Sequence, residues 1–133
     1  FVAKRIDNPK NFWQMPQGGV DKGEDVLSAA YRELEEETSI KNVKLIKEIN
    51  KITTYILPEH LLGIIWKGKY KGQKQKWFLM RFLGNDTEIN IKTDKPEFLE
   101  WKWIDLESIT DVVVDFKLEV YKTLKSEIKK IIN

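Results

Sequence analysis

Hydrophobic and polar residues alternate along the chain at two spacings, and the helical spacing predicts two long helices. Asp25 is a residue type that caps helices, and it precedes a helix predicted over residues 26–38. The apolar face of that helix comprises Val26, Leu27, Ala30, Tyr31 and Leu34. Asp115 is expected to cap a final helix over residues 116–131. Its predicted buried stripe comprises Phe116, Val120, Leu124, Ile128 and Ile131.

The segments between these helices are short, and their composition favours strands. Strands are predicted over residues 1–6, 44–49, 52–57, 62–66, 74–83 and 99–104. The run from Trp77 to Leu83 is too continuous in apolar residues for a surface strand. Two helices that bracket several strands predict an α/β fold in which helices cover both faces of a mixed sheet.

Length and breaker residues predict a single domain over residues 1–133, because no linker, repeat or low-complexity tract divides the chain. Phe1 already begins strand-like sequence, so we expect the N-terminal strand to have further residues upstream. The chain has no cysteine, which excludes disulfides and thiolate metal sites and agrees with a reducing, cytoplasmic location. No apolar run approaches the roughly 20 residues of a membrane span. The net charge of +2 does not by itself indicate nucleic-acid binding.

Candidate chemistry is concentrated at the end of the first helix. Glu33, Glu36 and Glu37 stand at positions i, i+3 and i+4, so their carboxylates share one face beside the apolar residues. A solvated acidic face is the simpler interpretation. However, like charges at this spacing cost about 0.2–0.5 kcal/mol per pair, and carboxylates in the last turns also oppose the helix dipole. A divalent cation with a preference for hard oxygen ligands, such as Mg²⁺ or Mn²⁺, would remove both penalties.

The residues around this cluster follow a recognisable order: Gly18, five residues, Glu24, seven residues, then Arg-Glu-Leu-Glu-Glu-Glu over 32–37 and an apolar Ile40. This order resembles the signature box of the Nudix hydrolase family. Ser39 stands where that signature has glycine. The position follows the helix and is expected to have a left-handed backbone, which costs serine about 1 kcal/mol.

The resemblance implies a Nudix α/β/α sandwich that hydrolyses a nucleoside diphosphate linked to another group. It also implies that Glu33, Glu36 and Glu37 are catalytic metal ligands, with Mg²⁺ as the cofactor and Mn²⁺ able to replace it. In such a site the Gly18 carbonyl joins the ligands, and Arg32 with Glu24 positions the helix and its carboxylates. The metal neutralises the polyphosphate and activates the attacking water.

Further blocks are similar to the branch of the family that acts on RNA 5′ ends and dinucleoside polyphosphates. These are residues 13–19 (WQMPQGG), 72–78 (GQKQKWF), 96–98 (PEF) with 101–103 (WKW), and 113–117 (VVDFK) with 120–121 (VY). The resemblance therefore extends over nearly the whole chain.

This resemblance implies roles for further residues. Glu97 matches a fourth acidic metal ligand that reaches the site from a loop, and its alternative is an ordinary loop glutamate. Phe116 and Lys117 match a corner where a base stacks on the ring and the lysine meets phosphate. The alternative for Phe116 is a core position. Arg5 matches a cation over a base or beside the phosphates, and its alternative is a surface arginine.

Gln73 and Gln75 alternate with Lys74 and Lys76 along a predicted strand, so the two pairs face opposite sides. The residue pattern leaves open which side meets the substrate. The family resemblance implies that Gln73 and Gln75 lie on the substrate side.

The expected function is removal of pyrophosphate from RNA 5′-triphosphate ends, cleavage of diadenosine polyphosphates, or both. Two alternatives are a hydrolase of other small nucleotides, such as damaged nucleoside triphosphates or nucleotide sugars, and a non-catalytic nucleotide-binding module. Retention of Glu33, Glu36, Glu37 and Glu97 favours an enzyme, because a binder has no need of every ligand. The expected partner is the nucleotide or RNA substrate. Neither a membrane nor an obligatory protein partner is expected.

Overall fold

The structure is a computed structural model, and it describes residues 1–7, 10–62 and 71–132. Its strands are β1 (Val2–Arg5), β2 (Val43–Glu48), β3 (Thr53–Ile56), β4 (Gly72–Gln75), β5 (Phe78–Phe82) and β6 (Phe98–Lys102). Its helices are α1 (Val26–Thr38), the short α2 (Ile109–Val112) and α3 (Leu118–Ile132). Short 3₁₀ turns lie between these elements, at Glu59–Leu61, Asp86–Glu88, Leu106–Ser108 and Asp115–Lys117.

The strands of the described residues pair as β1 with β6, β2 with β5, and β3 with β4. All three pairs are antiparallel, whereas a mixed sheet also requires a parallel pair. Residue 14 extends the first pair, because the backbones of Ala3 and Gln14 form an antiparallel bridge. The segment that carries Gln17 and Gly18 is therefore anchored directly beside β1.

Two strands predicted in the middle of the chain differ in outcome: one is corrected by the structure, and the other lies mostly outside the described residues. The strand expected over 74–83 is two strands, because the chain changes pairing partner between Gln75 and Phe78. Trp77 lies at the change, where its indole donates to Thr53 Oγ1 at 2.8 Å and its carbonyl accepts from the Ile49 amide at 2.9 Å. The strand expected over 62–66 lies, except for residue 62, outside the described residues.

Helix α1 begins and ends as predicted, but its buried face differs from the expected one. Asp25 caps it by accepting a hydrogen bond from the Ser28 amide at 3.1 Å. Val26 and Tyr31, assigned to the apolar face, are 42% and 37% exposed. The buried positions are instead Ala29, Glu37 and Thr38. The apolar face was misplaced because a glutamate occupies part of the buried surface.

The final helix has the predicted stripe but a different start. Asp115 does not cap it, because the backbone of Val114 is extended and Asp115 is already the first residue of the 3₁₀ turn that leads into α3. Val120 and Leu124 are 3% and 1% exposed. The remaining stripe residues, Phe116, Ile128 and Ile131, are partly buried and pack against the same core.

The larger hydrophobic core lies between α3 and the β3 region. Its buried members are Ile49, Tyr55, Leu57, Ile109, Val113, Val120, Tyr121 and Leu124. Tyr121 is 1% exposed, and its hydroxyl accepts a hydrogen bond from the Met15 amide at 2.7 Å. This bond ties the loop before Gly18 to α3. Within the described ranges, no helix is long and apolar enough to cross a membrane.

Candidate active site

Arg32 on α1 connects the loop at Gly19 with three glutamates. Its guanidinium donates to Glu24 at 2.7 and 2.8 Å, to Glu33 at 2.8 Å and to Glu36 at 3.0 Å. It also donates to the Gly19 carbonyl at 2.8 Å. Hydrogen bonding from Arg32 lowers the pKa of Glu24 to about 2. Glu24 therefore stays ionised and holds Arg32 in place.

Gly18 leaves room for the carboxyl group of Glu33. A Cβ atom at position 18 would overlap that carboxyl group, so any side chain there would displace it. Burial raises the pKa of Glu33 against the opposing effect of Arg32. The signature glycine thus allows a half-buried carboxylate to lie directly against the backbone of the preceding loop.

Glu37 is the most deeply buried of the helix glutamates, at 6% exposed. Its Oε2 atom is buried and has no hydrogen-bond partner among the residues that the structure describes. Burial, followed by the charges of Glu33 and Glu97, raises the pKa of Glu37 to about 8. A buried carboxylate oxygen without a donor is costly, and a metal ion is one group that satisfies it.

Glu97 lies next to this cluster and contacts Arg5. Its carboxylate is 3.5 Å from the Arg5 guanidinium, which also forms a bidentate pair with Asp7 at 2.7 and 2.8 Å. Hydrogen bonding with Arg5 lowers the pKa of Asp7. Arg5 is therefore held between an aspartate of its own turn and a predicted metal ligand.

The acidic cluster suits a divalent cation in its donor types, although it is not arranged as a ready-made cage. In the described part of the chain, no three acidic or histidine side chains converge closely enough to hold an ion as they stand. Arg32 engages one oxygen of Glu33 and one of Glu36, and Arg5 lies beside Glu97. The unpartnered oxygen of Glu37 and the raised pKa values of Glu33 and Glu37 nevertheless fit a site that a cation completes.

A network of glutamines lies beside the loop that carries Gly18. The side-chain amide of Gln17 donates to Gln73 Oε1 at 2.9 Å, and the side-chain amide of Gln75 donates to Gln17 Oε1 at 3.0 Å. The Tyr55 hydroxyl also donates to Gln73 Oε1 at 3.0 Å. Gln73 and Gln75 thus face Gln17, whereas Lys76 turns away to pair with Glu48 at 2.9 Å.

Lys117 is buried at 6% exposure and continues this network toward α3. Its ammonium group donates to Gln14 Oε1 at 3.1 Å and to Gln17 Oε1 at 3.2 Å, and it lies over the Tyr55 ring. Burial, then the charge of Arg5, lowers the pKa of Lys117 to about 7. The ring of Phe116 is 5.6 Å from that of Tyr55. Phe116 thus packs against the core, and it also lines a cavity next to Lys117.

The predicted substrate residues on the N- and C-terminal segments meet at one cavity. Its walls comprise Arg5, Asp7, Phe12, Trp13, Gln14, Leu57, Val113, Val114, Phe116 and Lys117. The sequence interpretation assigned no role to Asp7, Gln14, Gln17 or Tyr55. Roles for Gln14 and Gln17 could have been predicted, since both residues lie in the 13–19 block. Nothing in the sequence pointed to Tyr55.

Comparison with known proteins identifies the family and the fold of the chain. Residues 1–124 match the NUDIX domain family. The chain is 76% identical over 133 residues to a protein of Pelagibacter ubique named RNA pyrophosphohydrolase, covering 100% of this chain and 84% of the relative. It is 47% identical over 128 residues to an RNA pyrophosphohydrolase of Rhodospirillum rubrum, covering 96% of this chain and 77% of that protein.

Solved structures share the fold at low sequence identity. The Escherichia coli dihydroneopterin triphosphate pyrophosphohydrolase superposes with a TM-score of 0.72 at 23% identity, covering 96% of this chain and 84% of that one. A Caenorhabditis elegans Ap4A hydrolase superposes with a TM-score of 0.64 at 20% identity, covering 97% and 86%. The α/β fold is therefore confirmed, and the chain belongs to the Nudix family of phosphoanhydride hydrolases.

Proposed function

We propose that this enzyme removes pyrophosphate from RNA 5′-triphosphate ends, cleaves diadenosine polyphosphates, or does both at the same site. Support comes from relatives named RNA pyrophosphohydrolase, at 76% and 47% identity over almost the full chain. RNA 5′ ends and diadenosine polyphosphates both offer a polyphosphate attached to a nucleoside, which suits a carboxylate cluster beside a cavity with cations and an aromatic ring.

The reaction on RNA is hydrolysis of one phosphoanhydride bond. The oxygen of water forms a new bond to a phosphorus atom, the bond from that phosphorus to the bridging oxygen breaks, and pyrophosphate leaves with the electron pair. RNA with a 5′-monophosphate remains, and the proton lost by the water passes to solvent. No oxidant or other co-reactant is needed.

Four carboxylates and one carbonyl would hold the divalent metal: those of Glu33, Glu36, Glu37 and Glu97, and the carbonyl of Gly18. We propose that the metal is Mg²⁺ and that Mn²⁺ can replace it. The metal supplies charge neutralisation of the polyphosphate and activation of the water. Members of the family generally use a divalent metal.

Arg32 has a positioning role within the same cluster. It donates hydrogen bonds to Glu33 and Glu36 and is itself fixed by Glu24. Pre-set carboxylates reduce the reorganisation needed when the charged substrate arrives.

Arg5, Phe116 and Lys117 line the cavity, whereas Gln73 and Gln75 contact Gln17 beside it. We assign Lys117 and Arg5 to the phosphates, Phe116 to stacking with a base, and Gln73 and Gln75 to polar contacts. The single observation that carries this assignment is the place of Arg5. Its guanidinium is 3.5 Å from Glu97 and also lines the cavity with Phe116 and Lys117, so it joins the two halves of the site.

The proposed substrates also suggest where the enzyme works. Bacterial transcripts with triphosphate ends are made in the cytoplasm, and we propose that compartment. The RNA or nucleotide is the partner, and no obligatory protein partner is proposed.

Product analysis by chromatography tests the function. Triphosphorylated RNA and diadenosine polyphosphates are offered separately to the enzyme with magnesium. We expect pyrophosphate and 5′-monophosphorylated RNA from the first, and mononucleotide products from the second. The Glu37→Gln variant is the control for contaminating hydrolases. Preferential turnover of nucleotide sugars or damaged triphosphates, with RNA left intact, would contradict the proposal.

A further inference from the structure

Trp13 lies against the ammonium groups of two lysines that come from different strands. Lys102 on β6 has its Nζ 4.2 Å from the centre of the indole, and Lys4 on β1 has its Nζ 4.9 Å from that centre. Aromatic faces attract cations, so this indole holds the two positive charges at fixed places, with the Lys102 side chain exposed and the Lys4 side chain 13% exposed. Together these residues form a basic strip, which comprises Lys4, Trp13 and Lys102.

The charge of this strip is only partly neutralised by the protein. Lys4 is 3.4 Å from Glu100 and donates to Asn11 at 3.2 Å. Lys102 is exposed and, among the described residues, forms no ion pair with a carboxylate. Across the strand pair Lys4 lies opposite Glu100 and Lys102 lies opposite Val2, so the two lysines are diagonal neighbours whose like charges repel each other. An anion bound between Lys4 and Lys102 would relieve that repulsion.

The strip is continuous with the cavity of the candidate active site. Trp13 is a wall of the cavity that Arg5, Phe116 and Lys117 also line. Lys4 immediately precedes Arg5 on β1, and Trp13 is joined to Gln14, which accepts from Lys117. A chain that leaves the cavity past Trp13 would therefore meet the two lysines next.

We propose that the basic strip binds the sugar–phosphate backbone of single-stranded RNA downstream of the nucleotides held in the cavity. This inference rests on the proposed action on RNA ends. The contacts are to phosphates, so they are independent of base sequence and sensitive to salt. A mononucleotide has no phosphate downstream of the cavity, so it gains nothing from the strip.

Lys102→Ala is the central variant, since it removes the exposed charge that has no carboxylate partner among the described residues. Lys44→Ala is its matched control, because Lys44 is an exposed lysine on β2 and lies outside the cavity and the strip. Glu100→Gln works in the opposite direction. It removes the carboxylate that competes with phosphate for Lys4, so it should tighten RNA binding. Melting curves confirm that all three variants are folded.

Binding is measured first with a 5′-hydroxyl RNA of roughly ten nucleotides, within the usual range of single-strand site sizes. Fluorescence anisotropy at several salt concentrations gives the affinity and its salt slope. Removal of one lysine that binds a phosphate should reduce that slope by about 0.7 for single-stranded RNA. We expect this reduction for Lys102→Ala, no change for Lys44→Ala, and tighter binding for Glu100→Gln.

Hydrolysis is then compared on a triphosphorylated dinucleotide and on a triphosphorylated RNA of the longer length. The wild-type preference for the longer RNA should shrink in Lys102→Ala and persist in Lys44→Ala. Equal effects of these two variants, or a wild type that hydrolyses the longer RNA no faster than the dinucleotide, would overturn the proposal. So would loss of binding to phosphatidylserine vesicles with RNA binding intact, since the strip would then be a lipid site.

The two proposals fail in different ways. A wild type that cleaves diadenosine polyphosphates but neither triphosphorylated RNA contradicts action on RNA ends. The binding of 5′-hydroxyl RNA requires no hydrolysis, so it still decides whether the strip binds RNA.

Discussion

The backbone of Gly18 lies directly against the carboxyl group of Glu33, and even a methyl group on that glycine would overlap it. The loop and the helix that carry these residues are 15 positions apart in sequence, yet their packing fixes where the carboxylate lies. The glycine of the signature is needed here for space rather than for a left-handed backbone, since no positive φ occurs at Gly18.

Gly18→Ala should therefore reduce activity more than stability. The added methyl meets the far end of a flexible side chain, which can move aside, so we expect a loss of about 1 kcal/mol or less in unfolding free energy. Displacing Glu33 should lower kcat/KM on triphosphorylated RNA at least about tenfold, which corresponds to about 1.4 kcal/mol. Gly19→Ala is the matched control, because a Cβ at Gly19 meets no atom within 4 Å. Equal rates for the two variants would show that the position of Glu33 is unimportant.

Glu37→Gln and Glu36→Gln should abolish turnover while the domain stays folded. Metal-based charge stabilisation contributes several kcal/mol, so kcat should fall to less than about a tenth of wild type. In metal-free protein, Glu37→Gln should hold the melting temperature near neutral pH and raise it above about pH 8, where the wild type has a buried charge near Glu33 and Glu97. A folded Glu37→Gln variant with more than that residual rate would contradict the ligand role.

Magnesium should stabilise the fold, and the effect should grow with pH. The pKa of Glu37 is about 8 in the folded protein against an ordinary value of 4.5. Since the folded pKa is the higher one, protonation of Glu37 stabilises the metal-free fold fully below pH 4.5, and this stabilisation is lost as pH rises to about 8. A metal ion needs the deprotonated carboxylate, so its affinity should increase over the same window.

Melting curves with magnesium or a chelator at several pH values measure this effect. A hundredfold excess over Kd gives about 2.7 kcal/mol of stabilisation. The pH dependence should be weaker in Glu37→Gln, where Glu33 is the remaining proposed ligand with a raised pKa. A melting temperature unmoved by magnesium at every pH, in active protein, would mean that the free enzyme binds no metal tightly.

Phe116→Ala should separate RNA-end chemistry from general nucleotide hydrolysis. Removing one base–ring stack costs about 1–3 kcal/mol, or roughly 5- to 150-fold in kcat/KM on RNA. A mononucleotide triphosphate has no second base to stack there, so its hydrolysis should change little. Lys117→Ala should instead weaken every polyphosphate substrate, since it removes a positive charge.

Phe116 also packs against the core, so its alanine variant needs a stability control. Full burial would make the substitution cost about 3–5 kcal/mol and reduce all activities together. Phe116 is only partly buried, so we expect a smaller cost. Parallel loss of RNA and mononucleotide rates in a variant with a normal melting temperature would rule out base stacking.

Ser39→Gly should be more stable than Ser39→Ala by about 1 kcal/mol, because Ser39 has a left-handed backbone with φ 65° and ψ 6°. Both variants lack the hydrogen bond from the Ser39 hydroxyl to the Asn90 carbonyl, which is 2.9 Å long in the wild type. The difference in unfolding free energy between the two variants therefore reports the cost of placing a residue with a side chain in the left-handed conformation. Chemical denaturation measures it, and equal stabilities would mean that α1 ends differently in solution.

Features that depend on local spacing could be predicted from the sequence. The cap at Asp25, the end of α1 at Ser39 and the shared face of Glu33, Glu36 and Glu37 follow from helical geometry over neighbouring residues. The signature around those residues was sufficient to predict the family. The stripe of α3 was also correct, since Val120 and Leu124 are buried at helical spacing.

Tertiary structure alone decided which distant side chains meet. Gln14 and Gln17 contact Lys117 across about a hundred positions of sequence, and Arg5 comes within 3.5 Å of Glu97. Hydrophobic patterning also misplaced the buried face of α1, where Glu37 is buried and Val26 is exposed. A hydropathy value describes the free energy of transferring an isolated side chain out of water. The burial of Glu37 depends instead on the segments that pack around α1, which bring Arg5 and Glu97 near its carboxyl group.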